Sequence, residues 1–366
     1  MENDKVDLMH MDVLRCDGKN AESVRKIGTV FGHFVPFITL TIWALHAFVG
    51  ACWRYCLAQR DPSAPPYTSH TWEPLLPFLP SPRWRRINQR FPMDPIFKAV
   101  AGTLILLYGY RFPQIVCPDG VREGRIVGQH VMYWAHAMLL LASVSVGLVE
   151  LAMLRVRFPA GTSAAVMVAG YIVLVVIFSY HQKHEIFDQT THQLVGHCYL
   201  VAMVFGVMEL FQPTSILAFS GKIFFHIMGS AWLGMAGYML FSGSVFWSPV
   251  WNGQTDVGPV MFAPIVFTMM MLGLMAFMLV VFALIDLLAA RRLRAVGPDA
   301  PAEAMLALTQ LSSSQAAGEE WQGLRVKGEA SGGYSAVNGR VDGDAFSSGL
   351  GSSGAERKVG LLNGRA

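Results

Sequence analysis

Seven stretches of apolar residues, near 29-51, 94-111, 130-154, 159-180, 191-211, 214-242 and 259-290, dominate this chain of 366 residues. Crossing the hydrocarbon of a bilayer takes a helix of about 20 mostly apolar residues. Lipid offers no partner to backbone N–H and C=O groups, so each stretch must satisfy its own hydrogen bonds by coiling. The expected fold is an all-α membrane protein, a seven-transmembrane-helix bundle whose second span is the shortest. With 53% hydrophobic and only 14% charged residues, the chain has too little charge to cover a water-soluble globule of this length.

The flanks divide the chain into three. Residues 1-28 form a polar arm with Lys5, Arg15, Lys19, Arg25 and Lys26 and without the apolar core of a cleaved signal, so the first span is its own insertion signal. Residues 29-290 are the spanning domain. Residues 291-366 open on Arg291, Arg292 and Arg294 and continue rich in Gly, Ser and Ala, a composition that cannot bury a core and predicts a disordered tail.

Basic residues choose the cytosolic face. Arg54, Arg60, Arg83, Arg85, Arg86, Arg90, Arg155, Arg157 and the three exit arginines share one side; Arg111, Arg122, Arg125, Lys183 and the amino-terminal arm share the other. The carboxyl tail is therefore expected in the cytosol of an integral, multi-pass protein of an endomembrane (Golgi or endosomal) or of the plasma membrane. The expected partner is the lipid bilayer. Nucleic acid is excluded by a net charge of only +3, with basic residues that follow the topology.

On this threading seven of the eleven histidines fall at one depth, toward the lumenal side: His33, His130, His136, His181, His184, His192 and His197. With Glu185 and Asp188 in the junction after the fourth span, they supply the imidazole and carboxylate donors that zinc or another transition metal accepts. Asp188 is placed to fix the tautomer of a ligating ring. The candidate metal ligands are His33, His130, His136, His181, His184, Asp188, His192 and His197. Spacing alone does not single out a metal. His181 and His184 could share a helical face, His130 and His136 point apart, and no HExxH, HxxxH or Cys-x-x-Cys signature occurs. A shared zinc, bound at about 2.1 Å, requires nitrogens from three spans to approach within about 3 to 4 Å. The plain alternative is that each ring bonds a neighbouring helix or sits in the wet interface.

A second polar layer lies toward the cytosolic side, with Glu150, Glu209, Lys222 and Asp286. A charge at the bilayer centre costs about 2.5 to 3.5 kcal/mol on insertion scales, so Lys222 should meet Glu209 or Glu150. Snorkelling of Lys222 and Lys98 to the headgroups is the alternative. With His226 between the layers, the two together could form a proton or ion path or serve as bundle glue.

Gly32-His33 with Pro36 and Trp43, Gln129-His130 with Met132-Tyr133, His192-Gln193-Leu194 with Glu209, and Gly229-Ser230-Ala231-Trp232 followed by Gly237-Tyr238 and a Trp-bearing loop together resemble the transmembrane protein 45 family. The likeness runs over roughly residues 29 to 290 in the family's order. It implies a multi-span endomembrane protein, supplies no catalytic residue, and maps the family's shared histidines onto His33, His130, His184 and His192. One departure is the last span, where Met269, Met270 and Met271 stand in the region of a family Trp-His. Zinc hydrolases with seven spans place a histidine pair in the last span, and this chain has none between 260 and 290. A di-haem cytochrome needs facing histidine pairs, and only His46 and His226 lie outside the cluster near the spans.

Cys52 and Cys56, one turn apart, suit either S-palmitoylation or burial. Cys16 and Cys117 would both be lumenal and could pair there. Cys198 should be buried. The loop from 55 to 93, with Tyr67, Trp72, Phe78, Trp84, Phe91 and Arg83-Trp84-Arg85-Arg86, suits either an anionic headgroup surface or a solvated strap. Gly229, Ser230, Gly234 and Gly237 predict close helix packing, inside the bundle or in a homo-oligomer. Three functions remain open: a non-catalytic trafficking or scaffold protein, placed first because no catalytic spacing is met; a membrane-embedded metal-dependent enzyme or metal-binding protein; and a proton-coupled or metal-ion transporter.

Overall fold

The structure is a computed structural model, and it describes residues 13–17, 20–21, 30–69, 73, 92–109, 115–180, 186–242 and 257–296. His181 and His184, the loop residues Trp72, Phe78, Arg83 to Arg86 and Phe91, and the tail beyond 296 lie outside the described residues. Among the described residues are seven helices: α1 Val30–Arg60, α2 Met93–Gly109, α3 Gly128–Met153, α4 Thr162–Tyr180, α5 Ile186–Phe211, α6 Ile216–Ser242 and α7 Gly258–Val296. A two-residue ladder, β1 Val13–Leu14 against β2 Asn20–Ala21, is antiparallel and precedes them.

Six of the helices are long and apolar enough to cross a membrane. The exception is α2, whose 17 residues span about 26 Å at 1.5 Å per residue. Large apolar side chains face outward on most of the spans, among them Leu104, Leu107, Val204, Met269, Leu272 and Leu279. So much exposed apolar surface is incompatible with water and suits acyl chains. The chain is an integral, multi-pass helical protein.

Local sequence explains where the helices begin. Val127 is extended before α3, and its N–H donates to His130 Nδ1 at 3.1 Å, so the third residue of the helix caps its own start. α4 follows the turn at Gly161, whose φ of +83° favours glycine, and Thr162 Oγ1 donates to the Pro159 carbonyl. Ser215 Oγ accepts the Ala218 N–H at 3.2 Å and caps α6.

α6 is central, packed between α1 and α5, and α2, α3, α4 and α5 follow one another as antiparallel neighbours. A hydrogen bond from Trp43 Nε1 to Asp94 Oδ1 ties α1 to α2 and closes the row into a ring. α7 lies against α1, α5 and α6. The small residues of α6 are used inside this bundle. A Cβ on Gly229 would stand 3.1 Å from Cys198 Cβ of α5, one on Gly234 2.6 Å from the Phe37 ring, and one on Gly237 2.6 Å from His33 Cβ of α1. Cys52, Cys56 and Cys198 are all buried, which closes Cys52 and Cys56 to acylation in the folded bundle.

Candidate functional site

Polar side chains occupy the interior of the ring at three levels. At the outer level His33 of α1 and His192 of α5 meet edge to face with centroids 5.7 Å apart, and both are buried. His192 Nδ1 stands 2.8 Å from the Asp188 carbonyl and 2.9 Å from its Oδ1. Both are acceptors, so Nδ1 carries a proton. Beside them Trp232 Nε1 donates to the Thr191 carbonyl at 2.9 Å, with both residues fully buried.

The middle level centres on His226 of α6. Its Nδ1 lies 3.0 Å from the Tyr171 hydroxyl of α4, and the rings of Trp43 and Tyr199 flank it at 5.0 and 5.7 Å. His226 Nε2 is buried without a hydrogen-bond partner among the described residues. Just above, Thr41 of α1 and Ser230 of α6 share a hydrogen bond at 2.9 Å.

The inner level holds the charges. Lys98 Nζ of α2 bonds Glu150 of α3 at 2.8 and 3.1 Å and Asp94 at 3.3 Å, and Ser163 Oγ of α4 donates to Glu150 Oε1 at 3.0 Å. Lys222 of α6 pairs with Glu209 of α5, and both are almost wholly buried. Arg54 pairs with Glu73 and donates to the Thr68 carbonyl at 2.5 Å, with its guanidinium 5.3 Å from the Tyr67 ring centroid. In the connection after α1, burial pushes the Tyr67 phenol well above its ordinary range; the Arg54 guanidinium pulls it back down, and the Glu73 and Glu209 carboxylates add to the rise. Trp43 joins the levels: its indole N–H holds Asp94, and its ring touches both Lys98, at 5.1 Å, and His226.

The remaining candidates are dispersed. His130 is fully buried under the amino-terminal arm, beside the Cys16–Cys117 disulfide, with Nε2 3.7 Å from Cys16 Sγ. His136 is half-buried on α3, and His197 faces outward from α5. Asp286 pairs with Arg60 at the bundle's edge, where each side chain is over a third exposed (35% and 39%). Among the described residues, Cys16, Cys117 and His130 form the one three-donor group of metal-holding size, their ligand atoms all within 4.8 Å of one another.

Lys98, Asp94, Arg54, Glu73 and Tyr171 also face inward, a placement beyond the polar layers expected from the sequence. For Asp94 and Lys98 a signal existed, since opposite charges four apart at the start of a helix face the same way. For Glu73 and Tyr171 no local signal exists, because their partners are distant along the chain. No family model matches this chain, and no curated protein matches it.

Proposed function

We propose that this is a seven-span endomembrane protein of the transmembrane protein 45 type whose bundle moves protons, alone or coupled to a cation, along its internal polar column. The observation that carries this reading is the placement of His226 between two buried ion pairs, Lys98–Glu150 and Lys222–Glu209, with Trp43 in contact with both His226 and Lys98. Ionisable groups inside a membrane bundle are expensive to bury, and their default reading is a relay or ion path. Above His226, the His33–His192–Asp188 group extends titratable side chains toward the outer face.

The seven-span topology draws on the disulfide. α1 starts on the face that carries Cys16, and Cys117 lies 101 residues later on the segment after α2. α1 is long enough to cross, so a bond between Cys16 and Cys117 favours a return of the chain through α2 to the starting face. That face is then the oxidising one, where disulfides persist. The basic residues Arg54, Arg60, Arg291, Arg292 and Arg294 gather on the other, which supports a cytosolic carboxyl tail.

Reconstitution in liposomes loaded with a pH-sensitive dye tests the reading. Under an imposed membrane potential the native chain should acidify or alkalinise the lumen, Glu209→Gln and His226→Asn should slow that flux at least tenfold, and Asp286→Asn should not. Equal, background flux in all four proteins would leave the non-catalytic scaffold reading. That second reading rests on a specific observation: Glu150 and Glu209 each already have a lysine partner, as bundle glue requires.

A further inference from the structure

The Cys16–Cys117 disulfide lies outside the polar column, and its surroundings are asymmetric. Cys16, on the amino-terminal arm, is half-buried, whereas Cys117, on the segment between α2 and α3, is fully buried. Cys117 is held by a tight turn, its N–H bonded to the Arg125 carbonyl at 3.0 Å and its carbonyl to the Gly124 N–H at 2.9 Å. The arm is docked on that turn through Arg122 Nη1, which donates to the Arg15 carbonyl at 3.0 Å.

His130 decides what the group can do. Its Nδ1 accepts the Val127 N–H, so the neutral ring carries its proton on Nε2, the atom 3.7 Å from Cys16 Sγ. A metal held by these three residues would need a lone pair on Nε2 and would cost the Val127 N–H its acceptor. The ring as set is a donor aimed at sulfur, which stabilises a thiolate.

We propose that Cys16–Cys117 is an exchangeable disulfide, with Cys16 the sulfur that reacts with outside thiols, Cys117 the buried resolving cysteine and His130 the positioning donor. The co-reactant is a dithiol. One of its thiolates attacks Cys16 Sγ, the Cys16–Cys117 bond breaks, and Cys117 leaves as a thiolate that takes up a proton. The second thiolate of the dithiol then attacks its own bridged sulfur, and Cys16 leaves as a thiolate facing the His130 Nε2–H. Two electrons pass to the cysteine pair, and the dithiol becomes a disulfide; the reverse sequence reoxidises the protein.

The test uses the full chain in detergent, with dithiothreitol as the dithiol and maleimide mass shifts as the readout. The native protein should open its disulfide while the bundle stays folded. With glutathione disulfide, Cys117→Ser should form a mixed disulfide at Cys16, and Cys16→Ser should form none at Cys117. His130→Ala should slow release of the dithiol from Cys16, and reclosure by glutathione disulfide, about tenfold while His130→Gln, which keeps an N–H donor, stays near the native rate. A bridge that resists dithiothreitol until the bundle unfolds would overturn the proposal in favour of a static tether, and that measurement needs no variant. Equal rates for His130→Ala and His130→Gln would remove the donor role. Stoichiometric zinc on the reduced native protein, lost in His130→Ala, would overturn it in favour of a metal site.

Discussion

Gly237 of α6 lies so near His33 of α1 that a Cβ added to it would stand 2.6 Å from the His33 Cβ. No real pair of such atoms is that close, and backbone on either side would have to move. The absence of a side chain at Gly237 is therefore what lets α1 carry His33 into the bundle against His192. Gly237→Ala is expected to cost about 1 to 3 kcal/mol, the range for an overpacked core. The thermal midpoint in detergent checks it, and an unchanged midpoint would mean that the two helices stand further apart.

Lys222 and Glu209 are each only 2% exposed. Removing one charge leaves the other buried and uncompensated, which costs about 3 to 5 kcal/mol, whereas replacing both by apolar groups of similar volume is nearly neutral. Lys222→Met alone should therefore destabilise strongly, and the double change Lys222→Met with Glu209→Leu should recover most of the loss. Additive losses in this double-mutant cycle would show that the two side chains act independently.

Gly50 and Gly273 make a matched comparison on two helices. At Gly50 a Cβ would meet the Glu73 Cγ at 2.8 Å and Oε2 at 2.9 Å, displacing the carboxylate that Arg54 holds; at Gly273 it would meet nothing within 4 Å. Gly50→Ala should lower the melting temperature, by about 1 to 3 kcal/mol in stability. Gly273→Ala should be neutral or gain up to about 1 kcal/mol from helix propensity. A reversal of this order in paired thermal melts would remove Glu73 from its place beneath α1.

How much of this was legible follows from what each residue's signal depends on. Six spans were legible because a membrane helix is declared by its own local run of apolar residues, and a partner for Lys222 in either Glu209 or Glu150 because a buried lysine in the sixth span has few carboxylates in reach; the structure pairs it with Glu209. Lys98 was harder. It sits in the short α2, where snorkelling is the natural reading, and its burial depends on Gly147 of α3, whose added Cβ would lie 2.6 Å from the Ala99 nitrogen. Such an approach is a property of two helices and is invisible in either one. His192 and His197 were grouped by depth, yet residues five apart on a helix point in widely different directions, and the structure has one buried and the other outward. Depth along a span can be read from sequence far better than rotation about it.

Tyr67 provides the pH test. Its hydroxyl is buried without a hydrogen-bond partner among the described residues, and burial holds its folded-state pKa well above the ordinary phenol. An unfolded tyrosine releases its proton near about pH 10. Between that point and the higher folded value the unfolded chain binds fewer protons than the folded one, so stability falls as pH rises, by up to about 1.4 kcal/mol per pH unit. Below about pH 10 the contribution is fully present and flat. Tyr67→Phe removes both the proton and the unsatisfied hydroxyl, and should gain up to about 1 kcal/mol near neutrality. It should also lose less stability than the native chain between about pH 9 and about pH 11. Parallel melts of the two proteins across that interval isolate Tyr67 from the other buried phenols. Identical slopes would place its hydroxyl in water rather than against Glu73 and Glu209.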